Sequence, residues 1–118
     1  MTINIKNLFS FNKKLSKMGD FQEVKHIEGL QVSAISANLY KDGREDLSLF
    51  YFPEGANYAV AYTKNSIVSE SITWNRENTK NNIKAVVVNT KNANTFTGEQ
   101  GLSSLDEIAK KLINCLRN

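Results

Sequence analysis

Apolar residues in this chain recur at first with a period of two and, past Gly101, with a period near three to four. "LQVSAISANLY" carries Leu30, Val32 and Ala34 at alternate positions, and "DLSLFYF" sets Leu47, Leu49 and Tyr51 on one face with Phe50 and Phe52 on the other. Both stretches predict strands. Between them "KDGRED" offers Asp42-Gly43 for a tight hairpin turn. "FPEGAN", with the chain's single proline at Pro53, predicts a second turn. "YAVAYT" and "IVSESITW" are expected as a third and a fourth strand, divided near Asn65. "NRENTKNN" then loops to "IKAVVV" (Ile83 to Val88), a continuous apolar run of the kind found in strands covered on both faces.

The last segment changes period. Leu102, Leu105, Ile108, Leu112 and Leu116 define one face of an amphipathic helix. Two starts are open to it: Ser104 with Glu107 has capping-box spacing, and Thr97 with Gln100 repeats that spacing one turn earlier. Asp106 and Glu107 lie toward the positive end of the helix, and Lys110, Lys111 and Arg117 toward the negative end. The expected architecture is α+β: a mixed or mostly antiparallel sheet of about five strands, with the C-terminal helix packed on it. Residues 1–20 read as a lysine-rich lead segment and residues 21–118 as the folded part.

Composition narrows the function classes. The 118 residues are 41% apolar and 23% charged, ordinary for one globular domain, and the net charge of +3 does not by itself indicate nucleic acid. The lone Cys115 has no second thiol for a disulfide, a zinc pair or a redox pair, which fits a reducing compartment. A metal site is not expected, because one histidine, one cysteine and scattered acids supply no ligand spacing. No apolar run reaches the length of a membrane span, and the first twenty residues lack the pattern of a secretory signal. A cytoplasmic location is expected. The mitochondrial matrix is the alternative, since no acid precedes Asp20, although the segment has none of the arginines that presequences favour.

The stretch "NTKNANTFTGEQG" (Asn89 to Gly101) leaves the apolar strand and runs into the helix. Free backbone N–H groups gather where a helix begins and attract negative charge. Gly98 and Gly101 permit close approach, and Asn92, Asn94, Thr95 and Thr97 supply orientable donors and acceptors, equipment suited to an oxyanion or a carboxylate. The same residues also suit a plain turn and a helix cap, and composition leaves both readings open.

The order of the residues is more specific. "VVVNTKNANTFTGEQG" resembles, over sixteen positions, the central motif of the ornithine acetyltransferase (glutamate N-acetyltransferase) family. "GLQVSAISANLYKDGREDLSLFYF" is similar to the family's amino-terminal segment, with its basic-Asp-Leu step at Arg44 to Leu47, and "VAYTKNSIVSES" is similar to its Phe-Thr-Thr-Asn strand and turn. The resemblance covers about residues 21–116. The chain departs from the pattern at Thr90-Lys91, where the family has Ser or Thr followed by Gly, and at Thr95-Phe96, where it has Ala-Cys.

What the resemblance implies is an acyltransferase of arginine biosynthesis. The hydroxyl of Thr97 and the backbone N–H of Gly98 would form the oxyanion hole for acetyl transfer from N-acetylornithine to glutamate, with no cofactor. Family members are longer precursors that cut themselves before a threonine nucleophile, and that segment lies beyond the part matched here. The chain is therefore expected to be inactive alone. The implied partners are a complementary chain or segment bearing the threonine, together with amino-acid substrates.

Other candidates were weighed. Thr2, once exposed, could serve as an amino-terminal nucleophile. His26 has no Ser or Cys at suggestive spacing and reads as a surface or structural residue. Cys115 reads as a small core residue, and Trp74 with Phe50, Tyr51 and Phe52 as packing against the helix. A non-catalytic remnant that keeps the fold or a partner surface is the main alternative function. Gly98-Glu99-Gln100-Gly101 also matches the G-x-x-G loop of KH-type nucleic-acid modules, but Glu99 would repel phosphate there.

Overall fold

The computed structural model describes residues 25–117. Thr2 and the lysine-rich lead segment lie outside them. The described residues contain β1 (Gln31–Ile35), β2 (Leu47–Asn57), α1 (Glu70–Asn78), β3 (Asn82–Asn89) and α2 (Gly98–Leu116). They fall into two compact units. One holds the residues up to Ala56 together with Ile83–Lys91, and the other holds Asn57–Asn82 with the residues from Asn92 onward.

The first unit is a three-stranded sheet in the order β1-β2-β3. β1 and β2 run antiparallel, with Val32 opposite Phe50, Ala34 opposite Ser48 and Ile35 opposite Leu47. That register places Val32 and Ala34 on the face of Phe50 and Ser48, and Leu47, Leu49 and Tyr51 on the opposite face with Ile35, Ser33 and Gln31. The Thr90 N–H, just past β3, donates to the Asp46 carbonyl, just before β2, at 2.9 Å. The end of β3 thus lies beside the start of β2, as in an antiparallel pair.

The connection from β1 to β2 is longer than a tight hairpin. Arg44 does fold back on Asp42, donating its backbone N–H at 3.2 Å and its Nε at 3.0 and 2.8 Å to that carboxylate. The loop as a whole is organised by Asp46, only 2% exposed. Its Oδ1 accepts from the Ala37 N–H at 2.6 Å, and its Oδ2 accepts from Leu39 at 2.8 Å and Tyr40 at 3.2 Å. Burial pushes the Asp46 carboxyl up, but the N–H groups of Ala37, Tyr40 and Leu39 outweigh it and hold the group below the ordinary aspartate range. The Tyr40 ring is flanked by two cations, Arg44 at 4.5 Å and Lys91 at 4.9 Å from its centroid.

Three expectations from the apolar pattern are corrected. "FPEGAN" is not a turn but the continuation of β2. The β1 ladder ends at the pair Gln31 and Tyr51, so Pro53 lies beyond it and its missing N–H removes no bond to β1. "YAVAYT" is alternating but forms no ladder, because no strand among the described residues pairs with it. "IVSESITW", expected as a strand, turns helical at Glu70. Ser69 stands at the N-cap position and its carbonyl accepts from Ile72 and Thr73, so helix initiation overrides the β preference of the branched residues. Three strands and two helices therefore stand where five strands and one helix were expected among these residues.

In the second unit α2 packs against α1. The Trp74 indole N–H on α1 donates to Asp106 Oδ1 on α2 at 2.7 Å. On the exposed side of α2, Lys111 pairs with Glu107 at 2.8 Å, one turn apart. Cys115 is exposed rather than part of a core. His26 is exposed, as expected.

Among the described residues no apolar side chain is fully buried. Val86, Val87 and Val88 of β3 are 38 to 45% exposed, so the strand expected to be covered on both faces is open here. None of the described helices is long and apolar enough to cross a membrane.

Candidate oxyanion site

β3 ends at Asn89, and the polar stretch that follows reaches α2 at Gly98. Two residues in it adopt left-handed backbone, Lys91 with φ 69° and Phe96 with φ 61°. These fall on the two places where the sequence departs from the family pattern. Lys91 stands where that pattern has glycine, the residue that adopts this conformation without steric cost. Lys91 is tied down by donating its Nζ to the Leu39 carbonyl at 2.7 Å.

Thr97 takes the N-cap position of α2, so the helix starts at the earlier of the two expected places. Neither capping box forms. The Thr97 hydroxyl donates to Asn94 Oδ1 in a short hydrogen bond rather than to the helix. Ser104 lies inside the helix and donates to the Gln100 carbonyl at 2.9 Å. Gly101, one turn on, explains how the hydroxyl fits. A Cβ at that position would stand 2.0 Å from Thr97 Oγ1, 2.6 Å from Asn94 Oδ1 and 2.9 Å from Thr97 Cβ. Only a glycine leaves that space, and Gly101 is buried there.

The remaining donors point to α1. Gly98, with φ 57°, donates its N–H to Glu70 Oε1 at 2.8 Å. The Thr97 N–H reaches the same oxygen at 3.1 Å. The Glu70 N–H in turn donates to the Asn94 carbonyl at 2.9 Å, which ties the first turn of α1 to the loop. The Gly98 N–H is the largest influence holding the Glu70 carboxyl below the ordinary glutamate range, against burial, which pushes it up. Glu70 Oε2 is enclosed and has no hydrogen-bond partner among the described residues.

The pair expected from the sequence, Thr97 and Gly98, therefore lies together at the start of α2, with Asn94 in direct contact. Asn92 and Thr95 are exposed. Glu70 was not foreseen, because it falls in a stretch whose pattern predicts a strand. Chemically, two adjacent N–H groups converge on one anionic oxygen, the service an oxyanion hole performs. The G-x-x-G reading is corrected: Gly98 to Gly101 form the first turn of α2, not a loop free to clamp a nucleic-acid backbone. Among the described residues no cluster of His, Cys, Asp and Glu has the makings of a metal site.

The sequence and the fold match a known family. The ArgJ family model matches residues 31–118, and the chain belongs to that family. The chain is 37% identical over 93 residues to the arginine biosynthesis bifunctional protein ArgJ of Gluconobacter oxydans, covering 75% of this chain and 22% of that protein. It is 30% identical over 119 residues to the ArgJ protein of Bartonella henselae, covering 99% of this chain and 27% of that one. The crystal structure of the arginine biosynthesis bifunctional protein ArgJ from Bacillus halodurans superposes with a TM-score of 0.59 at 26% identity, over 64% of this chain and 40% of that chain. The chain thus spans about a quarter of the length of these curated relatives.

Proposed function

We propose that this chain is the amino-terminal portion of a glutamate N-acetyltransferase of arginine biosynthesis and supplies the oxyanion hole for acetyl transfer from N-acetylornithine to glutamate. Thr97 contributes its hydroxyl and Gly98 its backbone N–H. The observation that carries this reading is the convergence at the start of α2, where the Gly98 and Thr97 N–H groups hold a single carboxylate oxygen at 2.8 and 3.1 Å. A tetrahedral acyl intermediate presents a similar charged oxygen, and donors already aimed at one point can stabilise it.

In this reading a complementary segment supplies the threonine nucleophile and the contacts to the amino-acid substrates, and no cofactor takes part. That segment would also cover the open valines of β3 and the exposed Ile108 and Ile113 of α2. The test is reconstitution of acetyl transfer with a segment bearing the threonine. Thr97→Ala should lower kcat by about 10²–10³. Turnover at the wild-type rate in that variant would end the assignment.

A second reading, a non-catalytic remnant that keeps a partner surface, is favoured by one observation: both donors are already engaged within the chain, Gly98 by Glu70 and Thr97 Oγ1 by Asn94. It predicts a stable complex with the complementary segment and no transfer in any variant.

A further inference from the structure

The chain holds two carboxylates on backbone N–H groups, and they are satisfied differently. Asp46 has partners on both oxygens, Ala37 on Oδ1 and Leu39 and Tyr40 on Oδ2. Such a carboxylate is a fixed part of its loop. Glu70 takes both of its backbone N–H bonds on Oε1, while Oε2 is enclosed without a partner among the described residues. An enclosed carboxylate oxygen with no donor carries a desolvation cost that its neighbour does not offset, so this contact is more easily released than the one at Asp46.

We propose that Glu70 is an internal occupant of the oxyanion hole, a placeholder carboxylate whose Oε1 holds the Gly98 and Thr97 N–H groups until an acyl oxygen takes them over. The inference rests on the oxyanion-hole reading and adds its regulation. A single N–H cannot serve two anionic oxygens at full strength, so the Gly98 donor is free for an acyl oxygen only when Glu70 swings away. Glu70 is the first residue of α1, where its side chain can leave without breaking a helical turn, because its own N–H to the Asn94 carbonyl keeps the backbone in place. The Thr97 hydroxyl is held in reserve in the same way, on Asn94 Oδ1.

The test uses the full 118-residue chain, isotopically labelled, with acetate as a bare carboxylate probe and the Gly98 amide resonance as readout. In Glu70→Ala acetate should move the Gly98 amide at a concentration at least about tenfold lower than in the wild type, as expected when a bound competitor is removed. Solvent exchange of that amide, without acetate, should speed up by a similar factor. Glu70→Gln, which keeps a neutral acceptor of the same shape, should fall between the two. Equal acetate midpoints in wild type and Glu70→Ala, with the first turn of α2 intact, overturn the proposal. So does loss of that turn in both Glu70 variants, which would make Glu70 a structural cap.

The two layers of the argument separate on Thr97. If Glu70→Ala/Thr97→Ala binds acetate as well as Glu70→Ala does, the placeholder stands and the hydroxyl leaves the proposed donor set. If the acetate midpoints do not respond to Glu70 while Thr97→Ala still abolishes transfer in the reconstituted enzyme, the oxyanion reading stands and the placeholder falls.

Discussion

Gly101→Ala sets two physical effects against each other at one atom. In a helix interior alanine is favoured over glycine by about 1 kcal/mol, because it loses less backbone freedom on folding. At position 101 the added methyl would meet Thr97 Oγ1 at 2.0 Å, Asn94 Oδ1 at 2.6 Å and Thr97 Cβ at 2.9 Å. Rotation about χ1 removes the Oγ1 clash, but it takes the hydroxyl off Asn94 and leaves Cβ in place. Contact between carbons is comfortable only near 3.5–4.0 Å, so the first turn of α2 must also shift. Overpacking of this kind costs about 1–3 kcal/mol, which gives a net loss of about 0–2 kcal/mol after the propensity gain. Thermal unfolding followed by circular dichroism should show the variant melting up to several degrees below the wild type. Combining it with Thr97→Ala removes the closest contact, so the double variant should be more stable than the sum of the singles by at least about 0.5 kcal/mol. In the reconstituted enzyme Gly101→Ala should cost about as much activity as Thr97→Ala, about 10²–10³. A Gly101→Ala protein stabilised by about 1 kcal/mol, additive with Thr97→Ala, would refute the packing argument, since that is the behaviour of an unconstrained helix glycine.

Phe96 is 81% exposed and sits at φ 61°, so its side chain contributes little packing to offset left-handed backbone. Relief of about 1–2 kcal/mol, less the greater freedom of glycine when unfolded, predicts that Phe96→Gly gains about 0.5–1 kcal/mol in denaturant titration and that Phe96→Ala does not. Asp46→Asn should lower the melting temperature, because an amide cannot serve as an acceptor for Ala37, Leu39 and Tyr40 on both of its arms. The folded-state pKa of Asp46 lies below that of the unfolded chain, so its contribution is fully present above the unfolded value and is lost as pH falls through the folded one. The stability gap between wild type and Asp46→Asn should therefore be widest at about pH 6 and shrink progressively as pH falls below about 4; a gap independent of pH would rule out the carboxylate as its source. Trp74→Phe keeps a ring on α1 but loses the 2.7 Å bond to Asp106, with an expected cost of about 1 kcal/mol in urea unfolding. No loss there would mean that the bond does not couple α1 to α2.

Several elements were legible from pattern alone. The alternation at Val32 and Ala34 and at Leu47, Leu49 and Tyr51 reflects the two-residue period of strands, and β1 and β2 form there, although their register sets these two stripes on opposite faces of the sheet. The leucine stripe from Leu102 to Leu116 is strong enough that the helix follows directly, although the pattern left its start open between Thr97 and Ser104. "IVSESITW" was not legible in the same way. Its branched residues favour a strand locally, whereas Ser69 at the N-cap, the α2 contact at Trp74 and the Glu70 bonds to Thr97 and Gly98 favour a helix. Pro53 read as a turn because sequence does not show how far a neighbouring strand extends.

The sequence by itself determined the strand-loop-helix order around Asn89 to Gly101 and the family to which that spelling belongs, while the choice of Thr97 over Ser104 as the head of the helix came from the structure. The first two follow from interactions between residues near in sequence, whose periodicity and spacing are written in the chain. Only the tertiary structure decided where the donors point. Glu70 lies 28 positions before Gly98, Asp46 organises N–H groups up to nine positions away, and Gly101 makes room for a hydroxyl one turn back. Such partnerships depend on which groups meet once the chain has closed, and hydrogen-bond direction at a backbone N–H leaves no mark on the residue that carries it.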